Sequence, residues 1–171
     1  MIIKTKGFIL RPYRKSDIIN LQKNANHKEI YRYTLRIPYP YTLKDARNFI
    51  KRDLRFQKAK KKTVINFAIE IKKEVIGGIS IEIIEGHKAE IGYWLAKKDW
   101  NKKIMTKAVK EVSNFIFKKL KLKRIYAYIN MHNKRSLKVL KNNNFQREGL
   151  LRKFAFKDGK YIDTYIYAKI K

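Results

Sequence analysis

Along residues 89–95 apolar and polar side chains alternate. Ala89, Ile91, Tyr93 and Leu95 interleave with Glu90, Gly92 and Trp94, the pattern of a half-buried strand. After the short polar stretch 97–103 the period changes. Met105, Val109, Val112, Ile116 and Leu120 recur at helical spacing and predict a helix over 104–120. A strand that passes through a short loop into a helix N-terminus presents open backbone N–H groups and the positive end of the helix dipole, a place to hold an anion. Lys102, Lys103 and Lys107 stand in or beside that first turn, where cations oppose the dipole unless an anion offsets them.

The same reading extends over the rest of the chain. Residues 2–10 form a strand-like run ending at Arg11-Pro12, and Ser16 or Asp17 is placed to cap a first helix bearing Ile18, Ile19 and Leu21. Residues 31–41 hold two of the three prolines and are predicted as loop. Thr42 begins a second helix with Ala46, Phe49, Ile50, Leu54 and Phe56 on one face and Arg47, Lys51, Arg52 and Arg55 on the other. Residues 64–71 and 75–84 read as a hairpin, and Gly77-Gly78 inside its second strand marks a bulge or a close backbone approach. Farther on, residues 124–129 alternate as a strand. Asn133 is suited to cap a short helix carrying Leu137 and Leu140, and Asn144 to end it in a left-handed conformation. Strands over 148–156 and 161–170 flank Lys157-Asp158-Gly159-Lys160, a hairpin signal. No linker, repeat or low-complexity segment interrupts residues 1–171, which predicts a single α/β domain with a mixed, strongly twisted sheet of about 6–7 strands and about four helices.

Composition narrows the chemistry. Hydrophobic content of 44% with nine Phe, eleven Tyr and two Trp suits a packed core despite 33% charged residues. With no cysteine, thiol nucleophiles and disulfides are excluded. His27, His87 and His132 lack metal-ligand spacing, so no metal site is expected. No signal-peptide pattern or bilayer-length apolar run is present, and a cytoplasmic location is expected. The net charge of +29 far exceeds what one polyphosphate ligand needs, and residues 97–141 alone hold 15 basic residues against 2 acidic ones. An electrostatic footprint for RNA or ribosome is one source of this excess. A lysine-rich composition inherited from an A/T-rich genome is the other, since lysine outnumbers arginine 32 to 11.

Residues 90–108 resemble the acetyl-CoA-binding core of the GNAT superfamily of N-acetyltransferases, nearest to the ribosomal-protein N-terminal acetyltransferase (RimJ/RimL-like) branch. That branch reads roughly A-E-I-G-Y-W-L-x-x-x-x-W-G-x-G-I-M-T-E-A. The similarity continues through Arg124-Ile125-Tyr126-Ala127, Asn133-Lys134-Arg135-Ser136 and residues 145–152, and reaches back to Leu10-Arg11-Pro12 and residues 42–47. Asn101 and Lys103 stand where the family has its two glycines, and Lys107 where it usually has Glu. Those glycines let the backbone adopt positive φ and approach a pyrophosphate. Asn takes that conformation readily, whereas for Lys it costs about 1–2 kcal/mol.

The resemblance implies transfer of acetyl from acetyl-CoA directly to an amine. Free backbone groups near Trp94, Leu95 and Ala96 would pair with the pantetheine arm, with Asn133 contributing a hydrogen bond. Trp100, Asn101, Lys102, Lys103, Ile104, Met105 and Thr106 would hold the pyrophosphate. Glu90 matches the carboxylate that serves as general base, and Ser136 would assist protonation of the departing thiolate, because Leu140 occupies the position where many members carry Tyr. Tyr31, Tyr33 and Tyr39 lie where the family shapes its acceptor pocket. Polyamines would be repelled by so cationic a protein, and aminoglycosides, also cationic, are a weaker option than a protein N-terminus. A protein N-terminal α-amine has a pKa of about 7.7–8.0 against about 10.4 for lysine, so a single Glu suffices as its base. The expected acceptor is a protein N-terminus, as on a ribosomal protein. The alternative is a catalytically impaired protein of the same fold that binds RNA or the ribosome through its basic surface.

Overall fold

The computed structural model describes residues 1–171, which fold as two compact units: Met1–Glu82 with Tyr93–Ile104, and Ile83–Gly92 with Met105–Lys171. The chain has eight strands and five α-helices, more than the six or seven strands and four helices expected.

In the first unit, β1 (Ile3–Lys4) and β2 (Ile9–Arg11) replace the single strand expected over 2–10. Gly7, at φ +107°, reverses the chain so that Ile3 pairs with Leu10. Beyond β2, α1 (Ile18–Ala25) follows one tight turn at Lys15–Asp17. Neither predicted cap residue serves α1 with its side chain. Asp17 is buried, and its two carboxylate oxygens accept from both terminal nitrogens of Arg11 at 2.8 Å. The helix α2 (Lys28–Tyr33) shortens the loop expected over 31–41, and the ring of His27 accepts from the Glu29 N–H at its start. Six residues are too few to display a period.

As predicted, Thr42 caps the next helix, α3 (Leu43–Lys58), in a reciprocal box with Asp45. Ala46 and Ile50 enter a core with Tyr13, Leu21, Ala25, Tyr41, Ala68 and Val75. The inner side of α3 is not wholly apolar. Asp53 is buried there, accepting from Asn66 Nδ2 at 2.7 Å and Gln57 Nε2 at 2.6 Å, and burial pushes its carboxyl above the usual range. β3 (Val64–Ile71) and β4 (Glu74–Ile84) pair through Lys72 and Lys73, both at positive φ as a two-residue hairpin turn requires. The strands of this unit run in the antiparallel order β1-β2-β3-β4.

In the second unit, the first half of β5 (Lys88–Leu95) runs parallel to β6 (Arg124–Asn130) over three pairs only, the last being Glu90 with Tyr126. The helix α4 (Ile104–Lys118) buries Met105, Val109, Val112 and Ile116 as the spacing predicts. Leu120 lies beyond its end. Next, α5 (Lys134–Lys141) begins at Asn133, whose Oδ1 accepts the Ser136 N–H at 3.1 Å, and ends before Asn144 at φ +61°. The hairpin of β7 (Gln146–Lys157) and β8 (Lys160–Ile170) turns at Asp158 and Gly159, again with both φ positive. Order within this unit is β5-β6-β8-β7. No helix is long and apolar enough to cross a membrane.

Candidate active site

β5 ends at Leu95 because the chain turns sharply at Lys97–Asp99. The Asp99 N–H donates to the Ala96 carbonyl at 2.9 Å, and the Trp100 indole N–H reaches back to the Leu95 carbonyl at 2.8 Å. The Ala96 N–H is itself bonded to the Ile76 carbonyl at 2.7 Å. Three of the backbone groups expected to be free, the Leu95 carbonyl and both groups of Ala96, therefore already hold the strand end and its turn. A contact at the Leu95 carbonyl would have to use its second lone pair. The Trp94 ring is half-buried against the core of the first unit.

The loop that follows keeps the conformation that two glycines would permit. Asn101 sits at φ +63° and Lys103 at φ +59°, with Lys102 between them at negative φ. An alternation of this kind turns successive N–H groups toward one side, the concavity that binds anions. The cations beside it divide sharply. Lys97 is paired with Glu29 at 3.1 Å, Lys98 with Glu74 at 2.7 Å, and Lys102 with the buried Asp99 at 2.8 Å. Lys103 and Lys107 are exposed and in no ion pair. The loop runs directly into α4, whose first turn carries Ile104, Met105 and Thr106. Met105 is buried, so its contribution is packing, while Ile104 and Thr106 are half-buried.

In the second unit, the pairing of Glu90 with Tyr126 sets their side chains on one face, because partners across a strand pair point the same way. Alternation places Arg124 and Tyr128 on that face too, opposite Ile125, Ala127 and Ile129. The Tyr126 and Tyr128 rings meet edge to face at 5.6 Å, and Tyr128 meets Phe154 at 4.7 Å. The Arg124 guanidinium lies 5.8 Å from the Tyr126 ring centre and forks onto Glu148, which holds the Glu148 carboxyl below its usual range. Sequence reasoning missed this aromatic row. The i, i+2 spacing of Tyr126 and Tyr128 was legible, but Phe154 reaches it only through a bulge between Leu151 and Ala155. Glu90 is half-buried and thus both accessible and partly desolvated.

On α5, Ser136 is 7% exposed, on the same inward side as Leu140. The acceptor candidates separate. Tyr31 and Tyr39 approach with ring centres 6.1 Å apart, whereas Tyr33, two residues along α2 from Tyr31, points elsewhere and stacks near Arg32.

Several known proteins resemble this chain. It is 38% identical to the Uncharacterized N-acetyltransferase p20 of Bacillus licheniformis over 61% of each chain. Against the Probable N-acetyltransferase YjcK of Bacillus subtilis it is 31% identical, covering 98% of this chain and 96% of the other. A ribosomal-protein-serine acetyltransferase of Escherichia coli is 32% identical over 61% of this chain and 59% of its own. The chain thus spans about three fifths of the length of p20. Among solved structures, a GNAT-family acetyltransferase from Bacillus anthracis superimposes with a TM-score of 0.87 at 25% identity, covering 99% of this chain and 98% of its own. RimL, a ribosomal L7/L12 α-N-protein acetyltransferase solved in complex with coenzyme A, superimposes with a TM-score of 0.89 at 22% identity, over 99% and 98% of the two chains, a likeness of fold. The acetyltransferase (GNAT) domain family matches residues 8–146, and this chain belongs to it.

Proposed function

We propose that this protein transfers the acetyl group of acetyl-CoA to a primary amine, with a protein N-terminal α-amine as acceptor and residues 1–171 acting as one cytoplasmic N-acetyltransferase domain. The observation that carries this is the pair of left-handed residues Asn101 and Lys103. They give the loop ahead of α4 the alternating backbone that turns N–H groups toward one side, with the exposed Lys103 and Lys107 beside it, an arrangement suited to a pyrophosphate. The ribosomal acetyltransferase relatives favour the α-amine.

Within this reading, the N–H groups of residues 101–104 and the ammonium groups of Lys103 and Lys107 receive the pyrophosphate. Asn133 already spends its Oδ1 on the α5 cap and offers its Nδ2 to the pantetheine arm. Acetyl-CoA supplies an activated acyl carbon as a thioester. Glu90 accepts the proton released as the amine attacks, directly or through one water, and the Ser136 hydroxyl donates toward the departing sulfur. The aromatic row beside Glu90 supplies a face for the acceptor chain.

Calorimetry with acetyl-CoA tests the reading, and no binding at millimolar ligand in low salt would end it. Given binding, Glu90→Gln should lower turnover by about 10²-fold or more. The defect should shrink as pH rises through the α-amine pKa, because the neutral amine needs no base. Ser136→Ala should lower turnover while leaving acetyl-CoA affinity in place. Wild-type rates in both variants would remove these two residues from the chemistry.

Lys103→Gly separates backbone from side chain. Relief of about 1–2 kcal/mol of strain, less about 0.4–1 kcal/mol for the looser unfolded chain, should leave the variant slightly more stable. Loss of a charge-assisted bond worth about 1.5–3 kcal/mol should weaken acetyl-CoA binding about tenfold or more. Thermal unfolding and calorimetry read the two effects independently. Tighter binding by the glycine variant would show that the ammonium does not meet phosphate.

A ribosome or RNA contact is the second reading, favoured by the 15 basic residues between Lys97 and Lys141. It is compatible with acetyl transfer.

A further inference from the structure

Unpaired positive charge gathers along α3. There a groove of about 410 Å³ is rimmed by Lys15, Arg47, Lys51, Arg55 and Lys58. Its floor is apolar, made by Ile18, Ile50 and Leu54, and no acidic residue lines it. None of the five cations takes part in an ion pair. Both acids of α3 are committed elsewhere: Asp45 to the Thr42 cap, and Asp53 to the buried side. Arg47, Lys51 and Arg55 follow each other at one helical repeat, about 6 Å of rise per step, and Lys15 joins them from the turn before α1.

Two features set this apart from the protein's general basicity. Two of the five rim cations, Arg47 and Arg55, are arginine, against 11 of the 43 basic residues in the whole chain. Compositional drift toward lysine does not place arginine, whereas a planar guanidinium is the side chain that forks onto phosphate. Secondly, cations converging on one groove without counter-charge repel one another, and a polyanion converts that repulsion into attraction.

We infer that this groove binds the phosphate backbone of RNA, with Arg47, Lys51, Arg55, Lys58 and Lys15 as its contacts. The inference rests on the second reading above and gives it a location outside the acetyl-transfer residues. A regular row of cations matches a regular row of phosphates better than the irregular carboxylates of an acidic protein. Aliphatic floor residues offer no stacking surface for bases, so the site reads charge and not sequence.

The test uses the full-length protein and poly(U), titrated over a range of salt. Each phosphate contact to a single strand contributes about 0.7 to the slope of log K against log salt. The double substitution Arg47→Gln/Arg55→Gln should lower the slope by about 1.4 and the affinity at 0.1 M salt by tenfold or more. Lys4→Gln/Lys6→Gln removes the same charge from exposed positions at and just beyond the end of β1 and should leave the slope nearly unchanged. Thermal unfolding and acetyl transfer to a free peptide should be unaltered by the α3 pair. Equal losses in both doubles would mean that charge is sensed globally, and the groove would be no site. Tighter binding of poly-glutamate than of poly(U), abolished by the α3 pair, would overturn RNA in favour of an acidic protein.

Discussion

Arg11→Met will destabilise the protein by about 3–5 kcal/mol, the cost of breaking a buried ion pair by removing one partner. Arg11 is 2% exposed, and its guanidinium holds Asp17 on both oxygens, Glu70, and the Pro12 carbonyl. Asp17 has Arg11 as its paired cation. Its remaining bond is the Arg14 N–H at 2.7 Å, which cannot offset the desolvation of a full negative charge. Against a total of about 5–15 kcal/mol for an ordinary domain, this loss leaves little margin. Urea unfolding monitored by circular dichroism measures it. Arg11→Lys should fall between the two, since a lysine keeps the charge and loses the fork. A loss below about 1 kcal/mol for Arg11→Met would place the cluster in the weak range of exposed pairs.

The second large effect comes from Gly78. A Cβ there would stand 2.1 Å from the Tyr13 hydroxyl oxygen, and 3.0 Å from the Trp94 indole nitrogen. Tyr13 cannot swing aside, because it is 2% exposed and its ring packs edge to face on Phe49 at 5.0 Å. Burial also drives the phenol's pKa well above its ordinary value, so the group stays a neutral hydroxyl. Gly78→Ala should cost about 1–3 kcal/mol or somewhat more, as overpacking does. Removing the offending oxygen makes the clash testable. Tyr13→Phe alone should destabilise, because the hydroxyl donates to the Gly77 carbonyl at 3.4 Å and accepts from the Trp94 indole N–H, yet in the Gly78→Ala background it should cost less or even help. Chemical denaturation of the four proteins gives a coupling energy, expected to be about 1 kcal/mol or more in the direction of rescue. Simple additivity would mean that the backbone of β4 shifts instead.

Which features could be read from the sequence follows from the range of the forces behind them. The alternation of residues 89–95, the periodicity after Met105, the Thr42 cap and the hairpin turns are local, and each stands where its side chains predict. Asn144 takes the left-handed place that asparagine tolerates cheaply, although Asn142 and Asn143 would tolerate it equally. Lys103 adopts the same conformation against its own preference, which only the family resemblance suggested. What stayed hidden depends on distant partners. Asp53 looks like a solvated helix charge until Asn66 and Gln57 are seen to meet it. Asp17 was assigned to a cap because its partner Arg11 belongs to another element. Gly77-Gly78 announced a close approach but not Tyr13 or Trp94 as the visitors. At the candidate site, Glu90 and Ser136 stood out only by resemblance. The ring of Phe154 could not be placed beside Tyr128 without the bulge that moves it.

That bulge bears on edge-to-edge pairing between copies of the chain. β7 ends the strand order of its unit and exposes Leu150, Phe154 and Phe156. A straight strand of that composition is a template for edge-to-edge aggregation. The register breaks near Glu148 and between Leu151 and Ala155, where Lys153 turns to φ +52° and donates its N–H to Asp163, so no long flat row of hydrogen-bonding groups is offered. Arg147, Arg152 and Lys153 add like-charge repulsion against any second β7. The two safeguards differ in what defeats them. Salt screens the charges within about 3 Å at 1 M, whereas the bulges persist, so in concentrated salt the protection of this edge rests on its backbone geometry.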